Sequence, residues 1–395
     1  MFRKMPFIML ALILIVGLFS QWIPDYYQSV LYAVSLTIKS FIVFSLPFVI
    51  FGLLFRTAVN FAKKASKMIL FLLVAICFSN FLSTLISYFV GTAAYQFDLS
   101  MPFPNEGATL LPAWTFSLPK WIENDKAMFL GLLLGVLFGS IKPSLANRLA
   151  LKVELIINVI LKGILLVIPL FIAGFVVKMN HDQVLGYIFS NYALIFALIG
   201  SALFAYISFI YFAANRFRIS KSLKSIQNML PAAIAGLGSM SSAAAMPLTI
   251  LGTEKNSDNP DLARSIIPAT VNIHLIGDCF AIPVLAFAVM KSFGAPEPLF
   301  MGYLIFACYF VLAKFSVAAV PGGGILVMLP ILETHLGFNA EMLSLITALY
   351  ILFDPIITCA NVLGNGGFAM GMDRFWKTST SSVEQTTILV NEIAT

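Results

Sequence analysis

Four polar residues stand in register inside an apolar run late in the chain: Asp354, Thr358, Asn361 and Asn365. Their spacing, i, i+4, i+7 and i+11, makes a single polar stripe on a helix. The surrounding segment, about 343–372, is long enough to cross a bilayer. A carboxylate and amides in hydrocarbon are costly unless they face protein or a water-filled cavity, so the stripe reads as a path for a polar solute or an ion. Its plainer reading is packing, since Asn and Thr hydrogen-bond across paired membrane helices. A second cluster is Asn272, His274 and Asp278. If that stretch is helical, His274 and Asp278 are one turn apart and can pair. An imidazole and a carboxylate at membrane depth suit a proton relay or a structural hydrogen bond that fixes a turn. Two further runs are rich in groups that free the backbone: Ser239-Met240-Ser241-Ser242, closed by Pro247, and Val320-Pro321-Gly322-Gly323-Gly324.

The elements that must carry these residues follow from composition. Of 395 residues 60% are hydrophobic and only 11% charged, whereas soluble domains carry about a quarter charged residues. The chain is an integral membrane protein. Its apolar runs are long and unbroken, not alternating, so it is helical and not a barrel. The net charge of +6 sits in short loops and reads as topology, with no nucleic-acid partner. Cys77, Cys279, Cys308 and Cys359 all lie in apolar segments without metal-ligand spacing, and read as packed thiols.

Apolar spans are visible near 6–23, 29–55, 68–96, 127–146, 153–177 and 187–214. Basic residues cluster at alternate junctions: Arg3 and Lys4; Arg56, Lys63, Lys64 and Lys67; Lys142, Arg148 and Lys152; Arg216, Arg218, Lys221 and Lys224. The positive-inside rule places these junctions and the N-terminus in the cytoplasm. No small-x-small cleavage site follows the first run, which reads as a retained helix and not a signal peptide. The intervening loop 97–126 is poor in basic residues and is expected outside.

After Lys224 the regularity breaks. Residues 222–252 are interrupted by Pro231, Gly236, Gly238 and the serine run, which suits two half-helices meeting at a tip. A full span follows at 265–291, then a second broken stretch at 302–332 around the glycine run, then the polar-striped span. Paired interrupted segments in corresponding positions point to a transporter site at an inverted-repeat interface. Freed N–H groups and helix N-termini there hold an anionic group, and freed carbonyls hold a cation.

These residues resemble the dicarboxylate/amino acid:cation symporters, the family that includes glutamate and aspartate transporters. Ser241 through Pro247 is similar to its first hairpin tip, Ala269-Thr270-Val271-Asn272 to the start of its unwound seventh-helix motif, and Val320 through Gly324 to its second tip. Asp354 through Asn361 resembles its eighth helix, and 38–47 its second. The resemblance implies an all-α polytopic fold of about eight transmembrane helices plus two re-entrant hairpins, arranged as an inverted-repeat elevator. It also implies a homotrimer in which 1–215 is mostly scaffold and 216–375 is the transport core. The third and sixth spans would travel with that core. The tail, 376–395, reads as a short disordered cytoplasmic end.

The departures are equally specific. In relatives that take acidic amino acids an arginine grips the side-chain carboxylate; the corresponding positions here are Ile357 and Met240. Neither can replace a bidentate guanidinium. Asp354, the partner of a substrate amine in the family, is kept. The second carboxylate of the eighth helix is Asn365 here, and the third-helix hydroxyl pair aligns loosely with Ala75 and Ile76. The seventh-helix aspartate falls on His274, Ile276 or Asp278, depending on the anchor.

The reading is therefore a secondary active transporter, not an enzyme, for a small carboxylate-bearing solute. It favours a neutral amino acid over glutamate or aspartate. Substrate contacts fall to Ser241, Ser242, Val320, Pro321, Gly322, Gly324, Asp354, Thr358 and Asn361. Cation or proton coupling falls to Asn272, His274, Asp278, Asn361 and Asn365. The coupling ion is H+ or Na+, with the proton preferred, and sodium would be the only metal. No cofactor is expected. The partners are the solute, the coupling cation and the lipid bilayer of a cell (inner) membrane. Lys314, seven residues before Pro321, reads as a lysine that either pairs with an acid or snorkels, with snorkelling favoured. Two alternatives stay open: an uncoupled, channel-like protein, and a membrane-embedded hydrolase using Ser241 or Ser242 with His274.

Overall fold

The computed structural model describes residues 11, 15–16, 18–63, 67–97, 110–119, 121–182, 185–317 and 323–393. The order is α1 (Asp25–Lys63), α2 (Lys67–Tyr95), α3 (Asn124–Ile141), α4 (Pro143–His181), α5 (Leu185–Ala214), α6 (Ile219–Ser239), α7 (Ser242–Glu254), α8 (Pro260–Thr270), α9 (Ile276–Ser292), α10 (Phe300–Lys314), α11 (Gly323–Leu336) and α12 (Ala340–Ile393). The described residues contain no strand. By length and composition, four segments can cross a membrane: Asp25–Val59, Phe71–Tyr95, Tyr192–Ala214 and Ala340–Phe375. Lys126–Ile141, Phe300–Lys314 and Gly323–Leu336 are shorter apolar helices. The span expected at 6–23 and the loop at 97–126 lie largely or partly outside the described residues.

The helices sort into two packed groups. In the first, α1 runs between α3 and α4. Glycines permit the approach: a side chain at Gly131 or Gly135 of α3 would strike the α1 backbone at Phe51 or Phe55. A side chain at Gly174 of α4 would strike Leu31 and Ser35 of α1. The Ser35 hydroxyl donates to the Leu170 carbonyl across the same seam at 3.1 Å. Small residues at a crossing let helix backbones come close, which is the main source of attraction where no hydrophobic effect operates. In the second group, α2 lies along α9, and α12 is wrapped by α5, α6, α7, α8 and α9. Contacts between the groups are sparser, and include the Thr57 hydroxyl to the Phe315 carbonyl at 3.4 Å.

Both interrupted stretches form hairpins. The first reverses over two residues. Met240 takes a left-handed conformation, φ 50°, and Ser241 then caps α7, its hydroxyl accepting from the Ala244 N–H at 3.3 Å. The second hairpin pairs α10 with α11; its tip, 318–322, is outside the described residues.

The span read at 265–291 is interrupted at 271–275, between α8 and α9, where the likeness of 269–272 to an unwound motif implies a break. The backbone of α12 runs on to Ile393. No Gly or Pro follows Gly371, so nothing in the sequence interrupts the ladder.

Candidate functional site

The break at 271–275 leaves backbone groups without helical partners inside the protein, and each needs another. Side chains from two helices supply them. On α2, the Asn80 amide donates to the Ile273 carbonyl at 2.8 Å and accepts from the Leu275 N–H at 3.1 Å. The Ser83 hydroxyl donates to the Ile276 carbonyl at 2.8 Å. On α12, the Asn361 carbonyl oxygen accepts from the Gly277 N–H at 2.8 Å, and the Asn365 amide donates to the His274 carbonyl at 3.2 Å. The break is thus clamped from both sides, and α9 begins in a fixed place.

Asp278 lies in the first turn of α9, where the positive end of the helix favours a carboxylate. It is buried, and the Tyr350 hydroxyl donates to it at 2.7 Å. The Asn361 amide stands at 3.5 Å and the Lys314 ammonium at 3.8 Å from its other oxygen. Lys314 does not snorkel: its side chain is 0% exposed. It ends α10, a hairpin arm of only 15 residues that stops inside the protein and not at an interface. Its ammonium lies 4.9 Å from the centre of the Phe310 ring and 3.5 Å from the Gly324 carbonyl.

The polar stripe of α12 is intact and buried at all four positions. Thr358 donates to the Asp354 carboxylate at 3.0 Å. The Tyr350 hydroxyl, one turn earlier, also meets Asp354, so it faces both carboxylates. Three other elements press on the same turns. Gly236, near the end of α6, lies against the Thr358 backbone and Val362. Gly277 lies against the Ile357 carbonyl, and Gly324 against Tyr350 and Asp278. Hairpin one, the start of α9 and hairpin two therefore converge on 350–362.

Not every expected residue joins this cluster. Asp278, Asp354, Thr358, Asn361 and Gly324 do. Ser242 is buried and Ser241 half-buried at the hairpin tip beside it. Asn272 is exposed on the turn at 271–273 and contributes nothing to the buried network. Val320, Pro321 and Gly322 lie outside the described residues. His274 and Asp278 do not pair. The His274 ring hydrogen-bonds Ser79 through Nε2 at 2.8 Å and stacks 4.3 Å from Phe368. It lines a separate cavity of about 840 Å³ between α2, α5 and α12, together with Arg216 and Arg374. Its Nδ1 and the Asn365 side-chain oxygen are buried without a hydrogen bond of ordinary geometry among the described residues.

Two participants are missing from the expectations, the α2 clamp and Tyr350; for Lys314 the less favoured reading, an acid partner, is the one that holds. The hydroxyls that reach the break are Ser79 and Ser83, one to two turns beyond Ala75 and Ile76. A spacing signal existed, because Ser79, Asn80, Ser83, Thr84 and Ser87 form a polar stripe within an apolar span. Tyr350 extends the α12 stripe by one turn in the same way.

Comparison with known proteins settles the family. Residues 126–375 match the sodium:dicarboxylate symporter family. The chain belongs to that family. Among curated proteins, this symporter relative is 31% identical over 148 residues to an excitatory amino acid transporter of Onchocerca volvulus, covering 37% of this chain and 29% of that protein. It is 27% identical over 199 residues to excitatory amino acid transporter 1 of Homo sapiens, covering 49% of this chain and 35% of the human protein. The chain thus spans about a third of the length of the curated relatives it matches. Family and apolar helices together make it a multi-pass membrane protein.

Proposed function

We propose that the protein is a cation-coupled secondary transporter of a small carboxylate-bearing solute, with a neutral amino acid favoured over glutamate or aspartate. The observation that carries this reading is the meeting of two broken hairpins on the buried polar face of α12, hairpin two at Tyr350 and hairpin one at Thr358 and Val362. Asp354 is the partner for a substrate amine or a proton, and the hairpin N–H groups hold the carboxylate. The relatives are named for excitatory amino acids, but the positions at which the family grips an acidic side chain are Ile357 and Met240 here. Both are buried apolar residues that offer a carboxylate no donor from their side chains.

Sodium takes hard oxygen ligands, and one candidate is already engaged: the Asn361 side-chain oxygen accepts from the Gly277 N–H. This favours the proton as coupling ion. The two helix groups supply a scaffold (α1, α3, α4) and a moving core (α2, α5–α12) for an elevator within a homotrimer. A serine hydrolase is disfavoured, because the His274 nitrogen that would act as base is engaged with Ser79 of α2.

The test is uptake into proteoliposomes of labelled neutral amino acids, aspartate, glutamate and C4-dicarboxylates. Proton and sodium gradients are imposed separately, beside a no-gradient control. Accumulation of a neutral amino acid under a proton gradient is the expected result. Accumulation of aspartate or glutamate in preference would defeat the specificity argument, and flux without accumulation would identify an uncoupled protein.

A further inference from the structure

A lysine with a fully buried side chain is costly, and transport as described above does not use it. Lys314 sits where the last turn of α10 meets the first turn of α11. Among the described residues two oxygens face its ammonium: the Gly324 carbonyl at 3.5 Å and an Asp278 carboxylate oxygen at 3.8 Å. The Phe310 ring covers it at 4.9 Å from the centroid. The other oxygen of Asp278 accepts from Tyr350 at 2.7 Å. A carboxylate and a backbone carbonyl of the first turn of α11, walled by protein, are oxygens of the kind a bound sodium ion takes. Here an ammonium tethered to the chain stands among them.

We propose that Lys314 is a resident cation that takes the place of a mobile one between hairpin two and α9. Its fixed charge balances Asp278 and holds the start of α11 to the start of α9, so hairpin two seats on the core without sodium at this position. The chain would then differ from the sodium coupling in its family's name for a stated structural reason. Removing the ammonium leaves Asp278 as an uncompensated buried carboxylate, which a small cation from solution would neutralise.

The proposal concerns a charge within the site assigned above, but its test does not need a substrate. Purified wild-type protein is melted in choline chloride and in sodium chloride of equal ionic strength, with Lys314→Met and the double variant Asp278→Asn/Lys314→Met alongside. The wild type is expected to melt identically in both salts. Lys314→Met is expected to melt lower in choline and to recover saturably as sodium is added. The double variant, with neither charge, is expected to recover in choline and to ignore sodium. A saturable sodium shift in the wild type overturns the proposal, as does a Lys314→Met protein that matches the wild type in both salts. If Lys314→Met does not fold, the double variant decides: a folded double variant supports a charge pair, and an unfolded one reduces Lys314 to packing. In liposomes that transport, Lys314→Met should lower sodium-free uptake at least about tenfold, as loss of one partner of a buried pair predicts. A protein that takes up no solute yet gives these melting curves would leave the resident cation standing while the transport reading fell.

Discussion

Asp354 is a test of charge separated from shape. Its carboxylate accepts from Thr358 at 3.0 Å, and an asparagine oxygen can accept the same bond. Asp354→Asn should therefore leave the melting temperature near the wild-type value. It should lower uptake roughly 10- to 100-fold, the worth of a charged hydrogen bond at about 1.5–3 kcal/mol. Uptake at the wild-type rate would remove Asp354 from the binding machinery. The position was legible in the sequence because a four-residue polar stripe in hydrocarbon has few explanations, and a helix of known pitch puts its members on one face. Lys314 was not. A lysine at the end of an apolar run looks the same whether the run ends at the interface or inside the protein, and only the tertiary position of α10 separates the two. The supposed His274–Asp278 pair failed for a related reason. The one-turn spacing assumed a helix, and the chain at 271–275 is the place where helical geometry stops.

At the scale of elements, the break between α8 and α9 carries a cost that side chains offset. Asn80 serves two backbone groups there, the Ile273 carbonyl and the Leu275 N–H. Asn80→Ala should orphan both and cost about 2–4 kcal/mol, at roughly 1–2 kcal/mol for each buried group. The readouts are a lowered melting temperature and faster hydrogen exchange confined to 271–277. Exchange spread evenly over the molecule would argue against a local clamp. Glycines offer a matched comparison. At Gly277 a methyl group would meet the Ile357 backbone carbonyl, whereas at Gly302 in α10 it meets nothing within 4 Å. Gly277→Ala should destabilise by about 1–3 kcal/mol through overpacking. Gly302→Ala should stabilise by up to about 1 kcal/mol, because glycine loses more freedom in a helix. Equal effects on melting would mean that the close approach of α9 to α12 relaxes freely. The hairpins could be read from the chain because Pro, Gly and Ser cluster where a spanning helix must fail. The break at 271–275 carries Pro268 just before it but no glycine until Gly277, and its clamp comes from residues nearly 200 positions away. Local composition therefore reads as a continuous span, and only the likeness of 269–272 to an unwound motif points to the break.

At the scale of the molecule, the two helix groups are the structural basis for any elevator, and two ion pairs allow the idea to be tested symmetrically. Arg56 of α1 meets Glu154 of α4 at 3.0 Å, inside the α1–α3–α4 group. Lys178 of α4 meets Glu341 of α12 at 3.1 Å, across the boundary between the groups. The two pairs have similar exposure, with side chains 21% and 37% exposed in the first and 12% and 36% in the second. Both are therefore open to reagent. The Arg56–Glu154 pair contributes about 0–1 kcal/mol if it behaves as an ordinary partly solvated pair, whereas Lys178 also pairs with the buried Asp182, so each bridged protein is compared with its own unbridged cysteine variant. Cysteines are placed at each pair, Arg56→Cys with Glu154→Cys and Lys178→Cys with Glu341→Cys. The native Cys77, Cys279, Cys308 and Cys359 are replaced. A short bifunctional thiol reagent then bridges one pair or the other. If the core moves against the scaffold as a body, the bridge between α4 and α12 should abolish uptake, and reduction of a cleavable bridge should restore it. The bridge between α1 and α4 should leave uptake within about twofold of the unbridged protein, because α1 and α4 share a tight seam and move together. If the two bridges inhibit equally, the groups are not separate moving bodies. Transport would then have to come from the hairpins alone, opening on either side of a fixed α12.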